Sequence, residues 1–397
     1  MAIFNLSKVQ ELLLKQKVDG WLLFDFRGSN ELALNILDIG PHAHLTRRFF
    51  YFIPAIGEPQ KIVNGIEAHN LAHLPGKERK YSSFISLKEN LTEVLAGVNK
   101  VAMEYSPLNA IPYLSKVDAG TLEFLKTFNI EIVSSGDLIT LFDAIWTKEQ
   151  YEENIPVGKA LTDIVEECWK LIRKEITTGN KITEYDVQQF ILNEFTKRNY
   201  ITDSDPIVAV NENSANPHYS PDSTTFKEIK KDDFVLIDLW AKPNKPSGVW
   251  SDITWVGYVG REIPEKYIKI FNIVKESRDA GFDFVSNRFA AKQPVMAFEV
   301  DDISRGVIEK AGYGKWFIHR TGHSITTGLH GSGPHLDNFE THDERLLLPS
   351  TSFSIEPGIY LTGDFGVRSE IDVYIHPDGT VEQTGGPRQQ EIKAILK

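Results

Sequence analysis

The chain has 397 residues, a length that predicts two domains rather than a single core. Hydrophobic residues make up 41% and charged residues 25%, which is an ordinary composition for a globular protein. The formal net charge of −12 is spread along the chain and disfavours nucleic acid or an anionic membrane surface as the main partner.

The cysteine content and the N-terminal segment indicate the compartment. Cys168 is the only cysteine, so no internal disulfide can form and a reducing compartment is favoured. The first residues lack the basic and apolar regions of a signal peptide. No apolar run approaches the ~20 residues that span a bilayer. We therefore expect a cytoplasmic protein that does not enter a membrane.

Helical and strand patterns alternate through the first third of the chain. They predict, in order, a helix over 6–17, a strand over 20–24, a hairpin over 48–54 and 60–64, and strands over 100–105 and 130–133. Further helices are expected between the later strands. This pattern predicts an N-terminal α/β domain over residues 1–146.

A capped helix opens the second predicted domain, residues 147–397. Thr147 and Gln150 have the spacing of a capping box, and an apolar face at helical spacing continues from there towards Gly179. The later patterns predict a helix from about Thr183, one from Pro264 to Gly281, and one over 297–311.

Two aspartates lie on apolar strands that a turn connects. Asp238 ends the strand 234–240, and Asp252 lies within the strand 249–255. The residues between them are turn-forming, so an antiparallel pair would bring the two carboxylates close together. Neighbouring carboxylates in apolar surroundings repel each other, and a cation between them removes that repulsion.

The C-terminal strands carry further acids on one face. Alternation over 366–375 places the polar side chains on one side of a strand, namely Arg368, Glu370, Asp372 and Tyr374. Ser354 and Glu356 alternate in the same way before Pro357 and Gly358 break their strand. These acids can therefore converge with Asp238 and Asp252.

Five of the eleven histidines lie between His319 and His342. His319 and His323 are four residues apart, as in the helical zinc-protease motif, which also needs a glutamate after its first histidine. Arg320 occupies that place, and Gly322 argues against a regular helix. The helical zinc-protease hypothesis is therefore rejected. Carboxylate-rich sites with one imidazole suit Mn²⁺, Co²⁺, Fe²⁺ or Zn²⁺, and a pair of such ions can lower the pKa of a shared water to around neutrality.

The motifs together resemble the pita-bread metallopeptidase family, which includes aminopeptidase P, Xaa-Pro dipeptidase (prolidase), methionine aminopeptidase and the metal-free creatinase. The matching segments follow in family order: Asp238 with Asp252, His319–His323, Phe353–Tyr360 and Gly366–Glu370. The first third resembles the creatinase-type N-terminal domain more weakly. The resemblance implies an α+β protein, in which an N-terminal α/β domain precedes a pita-bread catalytic domain.

The same resemblance implies a centre for two divalent metal ions, Mn²⁺ first, with Co²⁺ or Zn²⁺ as alternatives. Asp238, Asp252 and Glu370 would bind one ion, and His323 and Glu356 the other. Asp252 and Glu370 would bridge the two ions. Glu356 would also accept the proton of the attacking water as general base.

Other residues match supporting positions of the family. His218 matches a histidine that moves protons or holds substrate, and His330 matches one that binds the scissile carbonyl. Arg368 matches an arginine that supports the site. His319 is typical of the proline-directed members and not of methionine aminopeptidases. Ser324 stands where relatives usually have a glycine, so the pocket shape is expected to differ there.

The resemblance predicts a hydrolase that cleaves short peptides with proline at the second position. An Xaa-Pro dipeptidase is the first hypothesis, and aminopeptidase P, which acts on longer peptides, is its alternative. A noncatalytic pita-bread module that binds a peptide or a protein is a second class, and C–N hydrolysis of a non-peptide substrate is a third. The intact ligands together with His218 and His330 favour catalysis. The family also implies a homodimer.

Overall fold

The structure is a computed structural model that describes residues 6–40 and 42–397. The chain divides into two compact units, and the division falls between Asp143 and Ala144, close to the boundary predicted at residue 146. Among the described residues, no helix combines the length and the apolar character needed to cross a bilayer.

The first unit contains five helices and six strands among its described residues. In chain order they are α1 (Leu6–Gln16), β1 (Gly20–Asp25), α2 (Glu31–Ile36), β2 (Phe49–Pro54), β3 (Gln60–Asn64), β4 (Lys77–Tyr81), α3 (Phe84–Val94), β5 (Lys100–Met103), α4 (Ala119–Lys126), β6 (Glu131–Ser134) and α5 (Gly136–Ile139). Short 3₁₀ turns lie at Ala68–Leu71, Pro107–Asn109 and Pro112–Leu114.

The strands of this unit form one mixed sheet in the order β4-β3-β2-β1-β5-β6. Strand β1 lies at its centre, antiparallel to β2 and parallel to β5. Trp21 and Leu23 belong to the core shared with α1, whereas Leu22 and Phe24 belong to the core shared with α3. Both faces of the sheet are therefore covered, which explains why residues 21–24 of β1 are all apolar. The predicted α/β architecture is confirmed.

The second unit carries four helices and eleven strands. They are α6 (Lys148–Thr178), α7 (Glu184–Lys197), β7 (Tyr200–Ile201), β8 (Ile207–Val210), β9 (Phe234–Pro243), β10 (Ser251–Tyr258), α8 (Glu265–Ala290), α9 (Ala297–Lys310), β11 (Ser324–Ile325), β12 (Ser352–Ile355), β13 (Gly358–Leu361), β14 (Phe365–Arg368), β15 (Ile371–Ile375), β16 (Val381–Gln383) and β17 (Lys393–Ala394). A π-helical turn, Thr140–Ala144, precedes α6, and 3₁₀ turns lie at Asn211–Ala215 and Gly314–Trp316.

Three sheets build the second unit. One has the order β17-β10-β9-β7 with β8 also paired to β9, a second has the order β11-β12-β15-β16, and β13 and β14 form a hairpin. Ile237 and Leu239 of β9 share a core with helices α6 and α7, whereas Leu236 and Trp240 share a core with α8. Asp238 lies between Leu236 and Trp240 on the same face of β9, so strand geometry directs it away from α6.

Helix ends follow the predicted capping signals in one case and not in another. The capping box of Thr147 and Gln150 is present, and α6 ends at Gly179 in the left-handed conformation, with a φ of 75°. The predicted end of α8 at Gly281 is wrong, because the helix continues to Ala290. Val285 and its apolar neighbours extend the buried stripe beyond the glycine, and their burial outweighs the roughly 1 kcal/mol that a glycine costs within a helix.

The strand predicted over 366–375 is interrupted. Strand β14 ends at Arg368 and β15 begins at Ile371, and the two strands belong to different sheets. In the gap, the Glu370 backbone N–H donates to the Thr254 carbonyl oxygen at 3.4 Å. Glu356 also lies just beyond its predicted strand, because β12 ends at Ile355. Two of the predicted metal ligands therefore lie at strand ends, where the backbone leaves the sheet.

Candidate metal centre

The hairpin of β9 and β10 places two carboxylates on one face of its sheet. Asp238 is paired with Thr254, and Asp252 with Trp240, so the two acids lie diagonally across neighbouring strands. Both are buried, with 5% of each residue exposed. The predicted convergence of Asp238 and Asp252 follows from this register.

Asp252, His323 and Glu370 form the core of the candidate centre. Each offers one ligand atom, and these three atoms lie within 4.8 Å of one another. His323 Nε2 lies 3.7 Å from Asp252 Oδ2 and 3.5 Å from Glu356 Oε1. Three of the other four predicted ligands, Asp252, Glu356 and Glu370, therefore lie close to the His323 imidazole.

Asp238 joins the group through Thr254 and Arg368. Thr254 Oγ1 lies 3.1 Å from Asp238 Oδ1 and 2.7 Å from Glu370 Oε2. A hydroxyl has one proton to donate, so it can satisfy only one of the two carboxylates at a time. Arg368 forms an ion pair with Asp238 and donates from Nε to Thr254 Oγ1 at 2.9 Å. The arginine therefore contacts Asp238 directly and the other acids through Thr254.

The donor atoms fit a divalent cation. Among the described residues, Asp252 Oδ1 and Glu370 Oε1 are buried carboxylate oxygens without a hydrogen-bond partner. Burial, followed by the charge of Glu370, holds the pKa of Asp252 well above its usual range. Burial and the charge of Glu356 do the same to the pKa of Glu370. Such oxygens are costly to bury unless a cation or a proton compensates them.

The burial of several carboxylates close together leads to a prediction about how stability depends on pH. Burial raises the pKa of Glu356 from 4.5 to about 7 and that of Asp372 from 3.8 to about 7. A raised carboxyl pKa favours folding below the unfolded value, and this contribution is lost as the pH rises through the folded value. Chelated protein should therefore be destabilised at the site between about pH 4.5 and pH 7.

The measurement is the difference in melting temperature between metal-supplied and chelated protein. Because a metal competes with protons for the same oxygens, this difference should widen from about pH 5 to about pH 7.5. Comparing the two forms at each pH cancels the titration of carboxyls elsewhere in the chain. A difference that stays constant or shrinks over this range would contradict the proposed protonation of the site.

His319 belongs to a hydrogen-bonded chain beside the acids. Its Nδ1 lies 2.7 Å from the Arg320 carbonyl oxygen, which can only accept, so Nδ1 carries the proton. Its Nε2, 2.7 Å from Tyr360 Oη, then accepts from the tyrosine. Arg368 in turn donates to Tyr360 at 3.2 Å. Burial lowers the pKa of His319 to about 3, so this histidine is neutral and orients Tyr360 rather than exchanging protons.

His330 and His218 lie beside the candidate ligands, on the side of the site that faces solvent. The His330 ring is nearly perpendicular to the His323 ring, with centroids 4.4 Å apart. Burial, followed by the charge of Arg320, lowers the pKa of His330 to about 4. His218 is exposed. Burial raises the pKa of Asp238, and the charge of Arg368 and, to a smaller extent, that of His218 oppose this shift, so His218 lies in the same neighbourhood.

One anchoring residue has no role in the sequence-based hypothesis. Glu184 is completely buried in the first turn of α7. It accepts hydrogen bonds from the backbone N–H of Val210 at 2.6 Å and of Lys227 at 2.7 Å, and from Tyr219 Oη at 2.6 Å. These donors lie on both sides of His218, so Glu184 fixes the ends of its loop. An acid in a first helical turn is too common to reveal this role from sequence.

Two further polar residues support the acids. Thr254 contacts two of them, and strand alternation could have identified it, because it lies two residues after Asp252. Asp372 accepts from Ser251 Oγ at 2.6 Å and from the Asp252 backbone N–H at 2.9 Å. Asp372 therefore fixes the backbone of Asp252 from the neighbouring sheet. Its position on the Glu370 face follows from the sequence, but its partners do not.

A family comparison agrees with this site. Residues 157–377, more than half of the chain, match the model of metallopeptidase family M24, and the chain belongs to that family. The match confirms the resemblance found in the sequence. Family membership and the buried Asp–His–Glu group together indicate divalent-metal binding.

Relatives differ in how much of the chain they match. A protein of Mycoplasma genitalium named a putative Xaa-Pro aminopeptidase is 32% identical over 203 residues, which are 51% of this chain and 53% of that protein. The chain thus matches about half the length of this relative. An Xaa-Pro dipeptidase of Pyrococcus furiosus is 28% identical over 347 residues, which are 86% of this chain and 91% of that protein.

Solved structures match the fold along almost the whole chain. A prolidase from Thermococcus sibiricus has a TM-score of 0.61 at 23% identity, with 98% of both chains covered. The dipeptidase PepE from Mycobacterium ulcerans has a TM-score of 0.68 at 20% identity and covers 98% of this chain and 96% of its own. The predicted two-domain α+β fold is confirmed.

Proposed function

We propose that this protein is a metal-dependent peptidase that hydrolyses Xaa-Pro bonds, first of all as an Xaa-Pro dipeptidase. The observation that carries the proposal is the buried group of Asp252, His323 and Glu370, two of whose carboxylate oxygens have no partner among the described residues. The relative from P. furiosus, named an Xaa-Pro dipeptidase, supports the choice of bond. The relative named an aminopeptidase keeps aminopeptidase P as the alternative.

The donor set supports a pair of divalent ions. Asp238, Asp252 and Glu370 would hold one ion, His323 and Glu356 would hold the other, and Asp252 and Glu370 would bridge them. Oxygen donors with one imidazole suit Mn²⁺, with Co²⁺ or Zn²⁺ as alternatives. When bound, such ions polarise the scissile carbonyl and lower the pKa of the attacking water.

The surrounding side chains then have separable roles. Burial raises the pKa of Glu356 to about 7, which suits a general base near neutral pH. His330, whose ring contacts that of His323, would hold the substrate carbonyl, and His218 would move protons or hold substrate. Arg368 and the neutral His319 keep Asp238 and Tyr360 in position.

Proline explains why such a site must recognise shape. The nitrogen of an Xaa-Pro bond carries no hydrogen, so the enzyme cannot recognise it by an N–H donor. Recognition must come from the ring and from the ends of the peptide. A dipeptidase must hold the free proline carboxylate, whereas an aminopeptidase leaves that side open.

A substrate comparison tests the activity. Protein supplied with Mn²⁺ is incubated with Ala-Pro, Ala-Pro-Ala and Ala-Leu, and its bound metal is measured by elemental analysis. We expect cleavage of Ala-Pro alone. Cleavage of Ala-Pro-Ala at its first bond would indicate aminopeptidase P. Absence of hydrolysis of both proline peptides by metal-loaded protein would overturn the proposal and favour a noncatalytic binding module.

Two broader properties belong to the same proposal. Cys168 is buried and is the only cysteine of the chain, which agrees with a reducing compartment such as the cytoplasm. The family resemblance suggests a homodimer, and light scattering of the purified protein would determine the oligomeric state.

A further inference from the structure

An acidic residue lies on the edge of β9 opposite the hairpin strand. Strands β7 and β8 pair with β9 in line with each other, Ile201 with Lys242 and Ile207 with Asp238. Strand β10 pairs with one edge of β9, and β7 and β8 pair with the other edge. Residues 202–206 connect β7 to β8 as a loop along that second edge. Asp203 lies in this loop and accepts a hydrogen bond from Trp240 Nε1 at 2.9 Å.

Trp240 connects this loop to the metal-ligand face. It is the cross-strand partner of Asp252 and lies two residues after Asp238. Side chains at such positions share one face of a sheet. The indole therefore lies beside the acids of the candidate metal centre, and its N–H points towards Asp203. The Trp240 side chain thus lies between the Asp203 carboxylate and the acids of the candidate metal centre.

The charge of Asp203 is not neutralised by an ion pair among the described residues. Lys242 of β9 is within the electrostatic influence of Asp203, because the charge of Asp203 opposes the lowering of the Lys242 pKa by burial. Its ammonium donates instead to the Thr327 carbonyl oxygen at 2.7 Å and lies 4.9 Å from the centre of the Trp250 ring. Asp203 itself is exposed. Burial and the charge of Arg320 lower the pKa of His330, and the charge of Asp203 opposes this shift, so the carboxylate acts on the same side of the site as His330.

We propose that Asp203 is a specificity-determining residue that binds the cationic side chain of the residue before proline. The inference rests on the proposed function and names its substrate class, namely peptides that begin with lysine or arginine followed by proline. The free α-amino group is common to all such peptides and lies close to the cleaved bond. A long cationic side chain reaches further from the cleaved bond than the α-amino group does, and can meet the exposed carboxylate of Asp203 beside the site.

The test compares two substrates of similar length and different charge, Lys-Pro and Met-Pro. We measure kcat/KM for both with Mn²⁺-supplied wild type, Asp203→Asn and Asp205→Asn. Asp205 is exposed in the same loop and serves as the matched control. The wild-type preference for Lys-Pro should fall roughly 2- to 5-fold in Asp203→Asn, the range expected for a partly exposed ion pair. It should persist in Asp205→Asn and in Asp203→Glu.

Two outcomes would overturn the inference. One is an equal ratio in wild type and Asp203→Asn, including an equal loss for both substrates, which would assign Asp203 to the α-amino group or to loop structure. The other is an equal loss of preference in Asp205→Asn. Calorimetric binding of Lys-Pro and Met-Pro to metal-supplied Glu356→Gln, alone and combined with Asp203→Asn, gives the same ratio while turnover is slow. Binding with the expected preference, together with a wild-type protein that hydrolyses neither peptide, would reject the proposed activity and retain the cation site.

Discussion

Replacing Asp252 with asparagine should abolish metal-dependent activity and, at the same time, raise the melting temperature of the chelated protein. Asp252 is buried beside Glu370, and one of its oxygens has no partner among the described residues. An amide at this position removes the repulsion between the two carboxylates and also removes one of the proposed metal ligands. Metal affinity should fall by more than about 100-fold, the upper range for residues that only support a ligand.

Melting curves with and without Mn²⁺ measure both effects, the higher melting temperature of the chelated variant and its weaker stabilisation by metal. Wild type should gain stability from the metal, and Asp252→Asn should gain little, because a ligand binding only the native state stabilises it according to its affinity. Asp283→Asn, which changes an exposed acid of α8, controls for the loss of one charge. If Asp252→Asn kept the wild-type response to Mn²⁺, Asp252 would not be a metal ligand.

Glu356→Gln should reduce kcat by roughly 10²–10⁴-fold, the usual contribution of a positioned general base. Its carboxylate lies 3.5 Å from His323 Nε2 and accepts from Ser354 Oγ at 3.2 Å. Glutamine keeps one oxygen for the metal side and nearly the same shape, but it cannot take a proton from water. Substrate binding should therefore change much less than turnover.

Single-turnover rates and elemental analysis separate the two functions of Glu356. The variant should retain at least part of its metal and should bind Ala-Pro, yet cleave it slowly. Glu276→Gln, an exposed substitution on α8, provides the matched control. Turnover at the wild-type rate would remove Glu356 from the role of base. Slow turnover with complete loss of metal would limit it to the role of ligand.

Strand periodicity was sufficient to place most of the acids. Asp238 and Asp252 occupy neighbouring strands because an apolar strand, a turn and a second apolar strand leave few alternatives to a hairpin. The break between Arg368 and Ile371 was not visible, because alternation continues across it while the hydrogen-bond partners change. Periodicity reports which side a residue faces and not which strand lies beside it.

Contacts between distant segments could not be predicted from one sequence. Glu184 resembles an ordinary first-turn acid, and only the folded chain brings Val210 and Lys227 to it. Asp203 is likewise an ordinary loop residue in the sequence, and only the register of β7 and β8 against β9 shows that it lies beside Trp240. The length of α8 was missed for a related reason, since burial against a second sheet overrides the local preference of Gly281.

The distance along the chain between the ligands also determines when a metal can be captured during folding. Asp252 and Glu370 are 118 residues apart (370 − 252), and no segment between them holds a complete site. Closing such a long loop is slow and must precede the benefit of the contact. A metal therefore cannot guide the early collapse of this unit. It should bind as the last step and slow the opening of a fold that was assembled without it.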